Sequence, residues 1–317
     1  DGSVSPSGDV LLNHGSNQTF NFTPTTGYHV DSLIVDGVNE PAAASYPFIG
    51  VAADHTVRVT FAIDQFTIVA SSGPNGSVTP SGSLSANYGT TESFVFTPAT
   101  GYHVDSVIVD GVNQTPSAGY TFTAISANHV LRVTYAIDEF SIVASAGPNG
   151  SISPVGSVTV SYGSSQLFTL QPAPGYHVDT LVADGVLLPP ATSHLISSVT
   201  SNHSIRVTFA IDEFGISASA GPDGAISPSG VVIASYGGSA VFAFTPSTGY
   251  HLDSLIVDGS PVSVAPSYTF ANVTANHSIR VTFAIDKFLL TANSGLNGSI
   301  SPSGAVDERV ALAGSRP

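Results

Sequence analysis

Gly27-Tyr28-His29-Val30-Asp31-Ser32 decides how this chain is read, because it occurs four times. It returns as GYHVDS at Gly101, GYHVDT at Gly175 and GYHLDS at Gly249, each time 74 residues further on. The segment Arg58-Val59-Thr60-Phe61-Ala62-Ile63-Asp64 keeps the same step and starts again at Arg132, Arg206 and Arg280. A fixed long period marks an array of similar modules and moves expectation away from a single catalytic centre. The predicted modules are 1–64, 65–138, 139–212 and 213–286, with a partial repeat at 287–317.

Within a module the apolar residues recur every second position, which is the strand signal. In the second module Phe66, Ile68 and Ala70 alternate with Thr67 and Val69, and Phe94 and Phe96 alternate with Val95 and Thr97. Tyr102 and Val104 alternate with His103 and Asp105, and in module 1 Val57, Val59 and Phe61 share one face of the closing strand. Asn75-Gly76 and Asp110-Gly111 are predicted as hairpin turns, because both residue types tolerate positive φ. No stretch has a 3.6-residue period with helix caps. The fold class is therefore all-β: a tandem array of four small β-sandwich-like modules, each with six or seven short strands. A 74-residue unit without disulfides is close to the lower limit for a self-sufficient core. The links between modules, such as Ala62-Ile63-Asp64-Gln65-Phe66, are short, so neighbouring modules are expected to stabilise one another.

Composition narrows the function classes. Among 317 residues only 9% are charged, yet the net charge is −15 and Lys and Arg together number seven. A nucleic-acid partner needs a positive surface, which this balance does not supply. No run of 18 apolar residues is present, so no membrane span is expected. Cys is absent, which removes disulfides, thiolate metal sites and thiol catalysis. There is no signal peptide and no Met, so the chain is expected to be a processed or excised piece. The low charge fits an exported protein, and the expected location is extracellular or on the cell surface.

Several short motifs recur in register: Gly150-Ser151-Ile152-Ser153-Pro154, Phe242-Ala243-Phe244-Thr245-Pro246, Gly249-Tyr250 and Arg280-Val281-Thr282-Phe283. Together they resemble the divergent internalin B-type repeats of bacterial surface and secreted proteins, over residues 1 to about 304. The resemblance implies extracellular stalks, adhesins or spacers, with no catalytic residues to carry over. The chain departs from that pattern in lacking the Gly-Trp pair; it contains no Trp.

The two ends of the array do not match. Asp1-Gly2-Ser3-Val4-Ser5-Pro6 aligns with Asp223-Gly224-Ala225-Ile226-Ser227-Pro228, so module 1 lacks the counterpart of Glu213–Pro222, its first strand. Lys287–Ala292 supplies a surplus first strand, in which Phe288, Leu290 and Ala292 take the places of Phe66, Ile68 and Ala70. A missing strand leaves an open template for another chain. The expected partner is a second copy, joined head to tail by strand addition. The candidate interface comprises Phe288, Leu289, Leu290 and Ala292 against Val4, Phe20, Phe22 and Phe61. Leu289 stands where internal first strands carry Thr67, Ser141 and Gly215, and the added apolar residue suits a strand covered on both faces. The alternative is that the chain is part of a longer array. In that case it is a stalk or adhesin whose variable segments Asn39–Ser45, Asn113–Ala118, Leu187–Ser193 and Ser260–Pro266 bind surface or glycan ligands. Residues 305–317 break the repeat and are expected to be a docking tail or the start of another domain.

Candidate chemistry is sparse. His29 and Asp31 share a strand face, with His55 elsewhere in the module, and two His with a carboxylate is a possible transition-metal set. Asp64 and its equivalents lie at the junctions, where a hard cation would need several more oxygens. Neither set outweighs a plain polar outer face, so no metal and no cofactor is assigned. Arg58 and its equivalents are expected to pair on the surface with Asp31 or Asp36. Four equivalent His/Asp sets do not make one triad in one pocket, so the chain is not expected to be an enzyme.

Overall fold

The computed structural model describes residues 1–301 and 304–306. The expected reading of 305–317 as a tail falls largely outside these. The chain falls into two compact units. The first comprises Asp1–Phe140 with Thr159–Ser165 and Ser197–Ser201, and the second Ser141–Val158, Gln166–Ile196 and Asn202–Pro317. All regular structure among the described residues is strand.

Module 2 shows the complete pattern in eight strands. Module 1 contributes β1 (Gly2–Ser5), β2 (Gln18–Pro24), β3 (Tyr28–Val35), β4 (Val38–Glu40), β5 (Ser45–Phe48) and β6 (Val57–Ile63). Module 2 follows with β7 (Gln65–Ser72), β8 (Gly76–Thr79), β9 (Gly82–Asn87), β10 (Glu92–Pro98), β11 (Tyr102–Val109), β12 (Val112–Gln114), β13 (Gly119–Phe122) and β14 (His129–Ile137). Its strands form a five-stranded sheet, β12-β11-β14-β7-β9, and a three-stranded sheet, β13-β10-β8. The same two orders recur in module 3, from β15 (Glu139–Ala146) to β22 (His203–Ile211), and in module 4, from β23 (Glu213–Ala220) to β30 (His277–Ile285).

The alternation seen in the sequence becomes the core between the sheets. Ile68, Ala70, Phe94, Phe96, Val107, Leu131 and Val133 of module 2 are all buried in one cluster. Module 4 repeats it with Ile216, Ala218, Phe242, Phe244, Leu255, Ile279 and Val281. Burying each of the larger side chains contributes roughly 1.5–3 kcal/mol, and an alanine methyl less. No buried side-chain polar atom among the described residues lacks a partner. The ring of Tyr135 lies against Gly76, its hydroxyl donates to the Ser77 carbonyl at 2.6 Å, and burial raises the phenol pKa.

Each complete module has eight strands where the sequence pattern predicts six or seven, and three further features differ from the sequence reading. First, Asp110-Gly111 does close a two-residue hairpin, with φ of 50° and 81°, but Asn75-Gly76 does not. Strands β7 and β8 lie in opposite sheets, so the Gly73–Gly76 segment carries the chain across the sandwich. Only Asn75 takes positive φ there, whereas the favoured hairpin turn needs it at both central residues. Chain residue Asp1 aligns with this crossing, not with a hairpin. Second, β7 and β14, the first and last strands of the module, pair side by side and in parallel, with His129 opposite Ile68 and Val133 opposite Ser72. Third, the register on β14 shifts between Val104 and Ser106, so Asp105 bulges out. The bulge exchanges the faces, which turns Val107 and Val109 inward after Val104.

Candidate functional site

The first and last strands meet in the middle of the larger sheet, and module 1 lacks the first of them. Its larger sheet consequently holds three strands, β4-β3-β6, and ends at β6. That strand begins at Val57, whereas β14, β22 and β30 begin two positions earlier at His129, His203 and His277. Those two positions are the ones that β7 holds in module 2, through His129 opposite Ile68 and Val130 opposite Val69. The counterpart of β9, residues 8–13, forms no strand in module 1.

Between these two unpaired edges lies a cavity of about 510 Å³. One side is Gly8, Asp9, Val10, Leu11 and Leu12; the other is Asp54, His55, Thr56 and Val57; Phe20, Phe48 and Val51 form the floor. In module 2 the positions of Gly8 to Leu12 and of His55 to Val57 pair directly with β7. The cavity thus lies where a first strand lies in module 2. Of the interface residues expected in module 1, Phe20 lines it. Phe22 is buried beneath, Val4 packs on the core from β1, and Phe61 lies against Gly2. Sequence reasoning missed Val10, Leu11, Leu12, Phe48, Val51 and Val57. Aligning them with Leu84, Ser85, Ala86, Phe122, Ile125 and Leu131 would have found them, given the parallel pairing.

The segment Lys287–Ala292, which repeats the first strand, has the opposite condition. Phe288, Leu289 and Leu290 are all more than 70% exposed, whereas Ile68 is fully buried. In this tail β31 (Leu290–Ala292) pairs with β32 (Gly304–Val306), Leu290 opposite Val306 and Ala292 opposite Gly304. That is the register in which β7 meets β9, Ile68 opposite Leu84 and Ala70 opposite Gly82.

The junctions are built alike. Asp64 N–H donates to the Gly27 carbonyl, and the Asp64 carbonyl accepts from Tyr88 N–H, both at 2.8 Å. His29 Nδ1 lies 2.8 Å from Asp64 Oδ1. Gly27 has φ of 82° and its Cα faces the Tyr88 ring, so a Cβ there would run into the ring. The same set recurs as Gly101, His103, Asp138 and Tyr162, and as Gly175, His177, Asp212 and Tyr236.

The residues considered for metal binding separate into different contacts. His29 joins Asp64, Asp31 accepts from the Thr60 hydroxyl at 2.9 Å, and His55 Nδ1 lies 2.7 Å from Asp36 Oδ2. No group of three or more such side chains among the described residues is placed to hold a metal. The ion-pair contacts among the described residues are all His–Asp, so the expected Arg58 pairing with Asp31 or Asp36 does not form. Those carboxylates are taken: Asp36 also accepts from Thr56 N–H at 2.7 Å. That backbone donor and His55 lower the Asp36 pKa. In Asp110 and Asp258 burial works to raise the pKa, and the His partner and a backbone donor outweigh it; in Asp184 the His203 contact leads, and all three are lowered. The variable segments, such as Asn39–Ser45, run from the β3–β4 hairpin toward β5 and are mostly exposed.

A tandem array of two-sheet β modules, with structural contacts at each junction and no assembled catalytic set among the described residues, defines a repeat protein. The chain belongs to the divergent InlB B-repeat domain family, whose model matches residues 1–65, 66–139, 140–213 and 214–287. The family is associated with bacterial surface proteins, and its repeats are structural domains. No curated protein matches the chain. Among solved structures it is similar to the I9–I11 tandem of titin, at 8% identity over 62% of this chain and 93% of that one. It is also similar to the four N-terminal Ig domains of a Dscam1 isoform, at 7% identity over 85% and 95%. Both have a TM-score of 0.12, at which the likeness carries no argument. Among the described residues no helix is long and apolar enough to cross a membrane.

Proposed function

We propose that this surface-associated repeat protein is a structural, non-catalytic subunit of an extracellular fibre. Its copies join head to tail when Lys287–Ala292 of one copy fills the first-strand bed of module 1 in the next. The observation that carries this reading is the cavity of about 510 Å³, lined on both sides by positions that pair with a first strand in the complete modules. In the module 2 register, Leu290 enters opposite His55 and Ala292 opposite Val57, while Phe288 and Leu290 face Leu12 and Val10. Strand addition supplies main-chain hydrogen bonds for affinity and side-chain pockets for register. A head-to-tail contact of this kind propagates unless it closes a ring.

Sedimentation and negative-stain electron microscopy of the purified chain test the reading. Concentration-dependent polymers are expected, and they should be lost on deleting 287–317 or on Leu290→Asp, which places a charge against the core. Dispersed monomers at every concentration would leave a spacer or adhesin in place of a fibre subunit. Polymers that survive both changes would assign the cavity to another occupant.

A further inference from the structure

The bed in module 1 differs from those of the complete modules on its outward face, and the surplus strand differs at the matching positions. In module 2 the outward Thr67 lies opposite Ser85, and in module 4 Gly215 lies opposite Ile233. The first pair is two small polar residues; in the second, the glycine leaves Ile233 58% exposed. The same position is Leu11 in module 1, which is 98% exposed, and Leu289 in the surplus strand, 72% exposed. A second difference concerns the amide of that outward residue. Asn128, Asn202 and Asn276 accept the N–H of Thr67, Ser141 and Gly215 through Oδ1 at 2.8–2.9 Å. Module 1 has Asp54 there. Two residues earlier on the same strand face, internal first strands carry Gln65, Glu139 and Glu213, and the surplus strand carries Lys287, the only lysine of the chain.

Resting on the fibre reading, we propose that Leu11 and Asp54 are specificity determinants that select the strand Lys287–Ala292 over every internal first strand. Leu289 covers Leu11, and its N–H donates to the Asp54 carboxylate. Lys287, on the same face and within reach of a long side chain, meets that carboxylate with opposite charge. Glu139 or Glu213 in the same place would bring a like charge to Asp54, and Ser141 or Gly215 would leave Leu11 bare. Selection matters in an array of near-identical modules, because exchange of internal strands would tangle copies; cross-strand pairs and charge placement discriminate partners at small cost in affinity.

The test uses the full chain and reads the association constant by sedimentation at low and high salt. Lys287→Glu should weaken association about five- to tenfold at low salt and much less at high salt. Adding Asp54→Lys to Lys287→Glu should recover only the salt-dependent part of that loss, because lysine cannot accept the Leu289 N–H. Leu289→Thr should weaken it by up to about fivefold at either salt, with no further loss on adding Leu11→Ser. If the native chain polymerises, Leu290→Asp abolishes the polymer and the outward variants associate like the native chain, the selection proposal falls and the fibre reading stands. If the native chain stays monomeric, both fall.

Discussion

Modules 1 and 2 carry nearly the same apolar residues, yet they bury them to different extents. Phe94, Leu131, Val133 and Ile125 are at most 2% exposed, whereas their counterparts Phe20, Val57, Val59 and Val51 are only half-buried. The core of module 1 retains Phe22, Leu33, Val35 and Phe48 as its fully buried members. Every loss lies along the side where β7 would sit, and the far side, with Leu33 and Val35 on β3, is unaffected. One strand therefore governs half of the core, because it lies beside β14 in the centre of the sheet and not at its edge.

The largest effect that sharpens this contrast is a core truncation. Phe94→Ala should destabilise module 2 by about 3–5 kcal/mol, the usual cost of removing a buried Phe. Phe20→Ala should cost module 1 no more than about half of that in the monomer, because its ring already meets solvent. In a polymer joined as proposed, the cost at Phe20 should rise toward the value at Phe94. Arrays of this kind do not melt as a single two-state unit. Hydrogen exchange of amides in β10 and β2 is therefore the suitable measurement. Equal costs at the two sites in the monomer would mean that the bed of module 1 is already closed.

The period, the inward residues and the alignment of the two ends were legible because duplication copies them and strand alternation is local. The parallel neighbourhood of β7 and β14 was not, since no residue type marks which non-local strands pair. Asp105 gave no sign of its bulge: GYHVDS reads as an unbroken strand, and the carboxylate's contact with Thr134, at 2.9 Å, comes from a strand 29 residues on. Asn75-Gly76 misled, because Asn-Gly suits both a hairpin and a crossing, and the choice is made by Tyr135 packing on Gly76. Asn128 went unnoticed for a related reason. Its role is to accept the Thr67 amide 61 residues back, and that position shows its meaning only once module 1 is seen to hold Asp54.

A smaller effect compares an internal joint with the last one. Gly101 and Gly249 share a positive φ of 80° and 83°, but Gly101 faces the Tyr162 ring and Gly249 has no atom of the described residues within 4 Å. Gly249→Ala should cost at least the backbone penalty of about 1–2 kcal/mol. Gly101→Ala should add roughly 1–3 kcal/mol for displacing the ring. Exchange of the Asp138 and Tyr162 amides, whose hydrogen bonds flank that ring, would report the difference. If both variants cost the same, the Tyr ring contributes nothing to the joint.

The smallest effect asks whether the opening of module 1 reaches its far edge. Asp36, Asp110, Asp184 and Asp258 occupy one position in the four modules, each with a His and a backbone N–H as partners, and each has a pKa below the ordinary 3.8. A carboxylate whose folded pKa is depressed adds stability that is fully present above the unfolded value and disappears as pH falls through the folded one. All four modules should therefore hold their stability down to about pH 4 and lose a small part of it below. Asp36 lies beside His55 and Thr56, at the frayed start of β6, but on the side turned toward β3 and away from the empty bed. Module 1 should accordingly respond to acid like module 2. Asp36→Asn keeps an acceptor for Thr56 N–H and a residue that tolerates the φ of 52°, so it should flatten the acid response of module 1 alone. Carboxyl NMR titration and exchange between pH 5 and about pH 2 would measure both points. A module 1 that loses protection at higher pH than module 2 would show that the missing strand loosens the whole sheet, and not only the half that borders it.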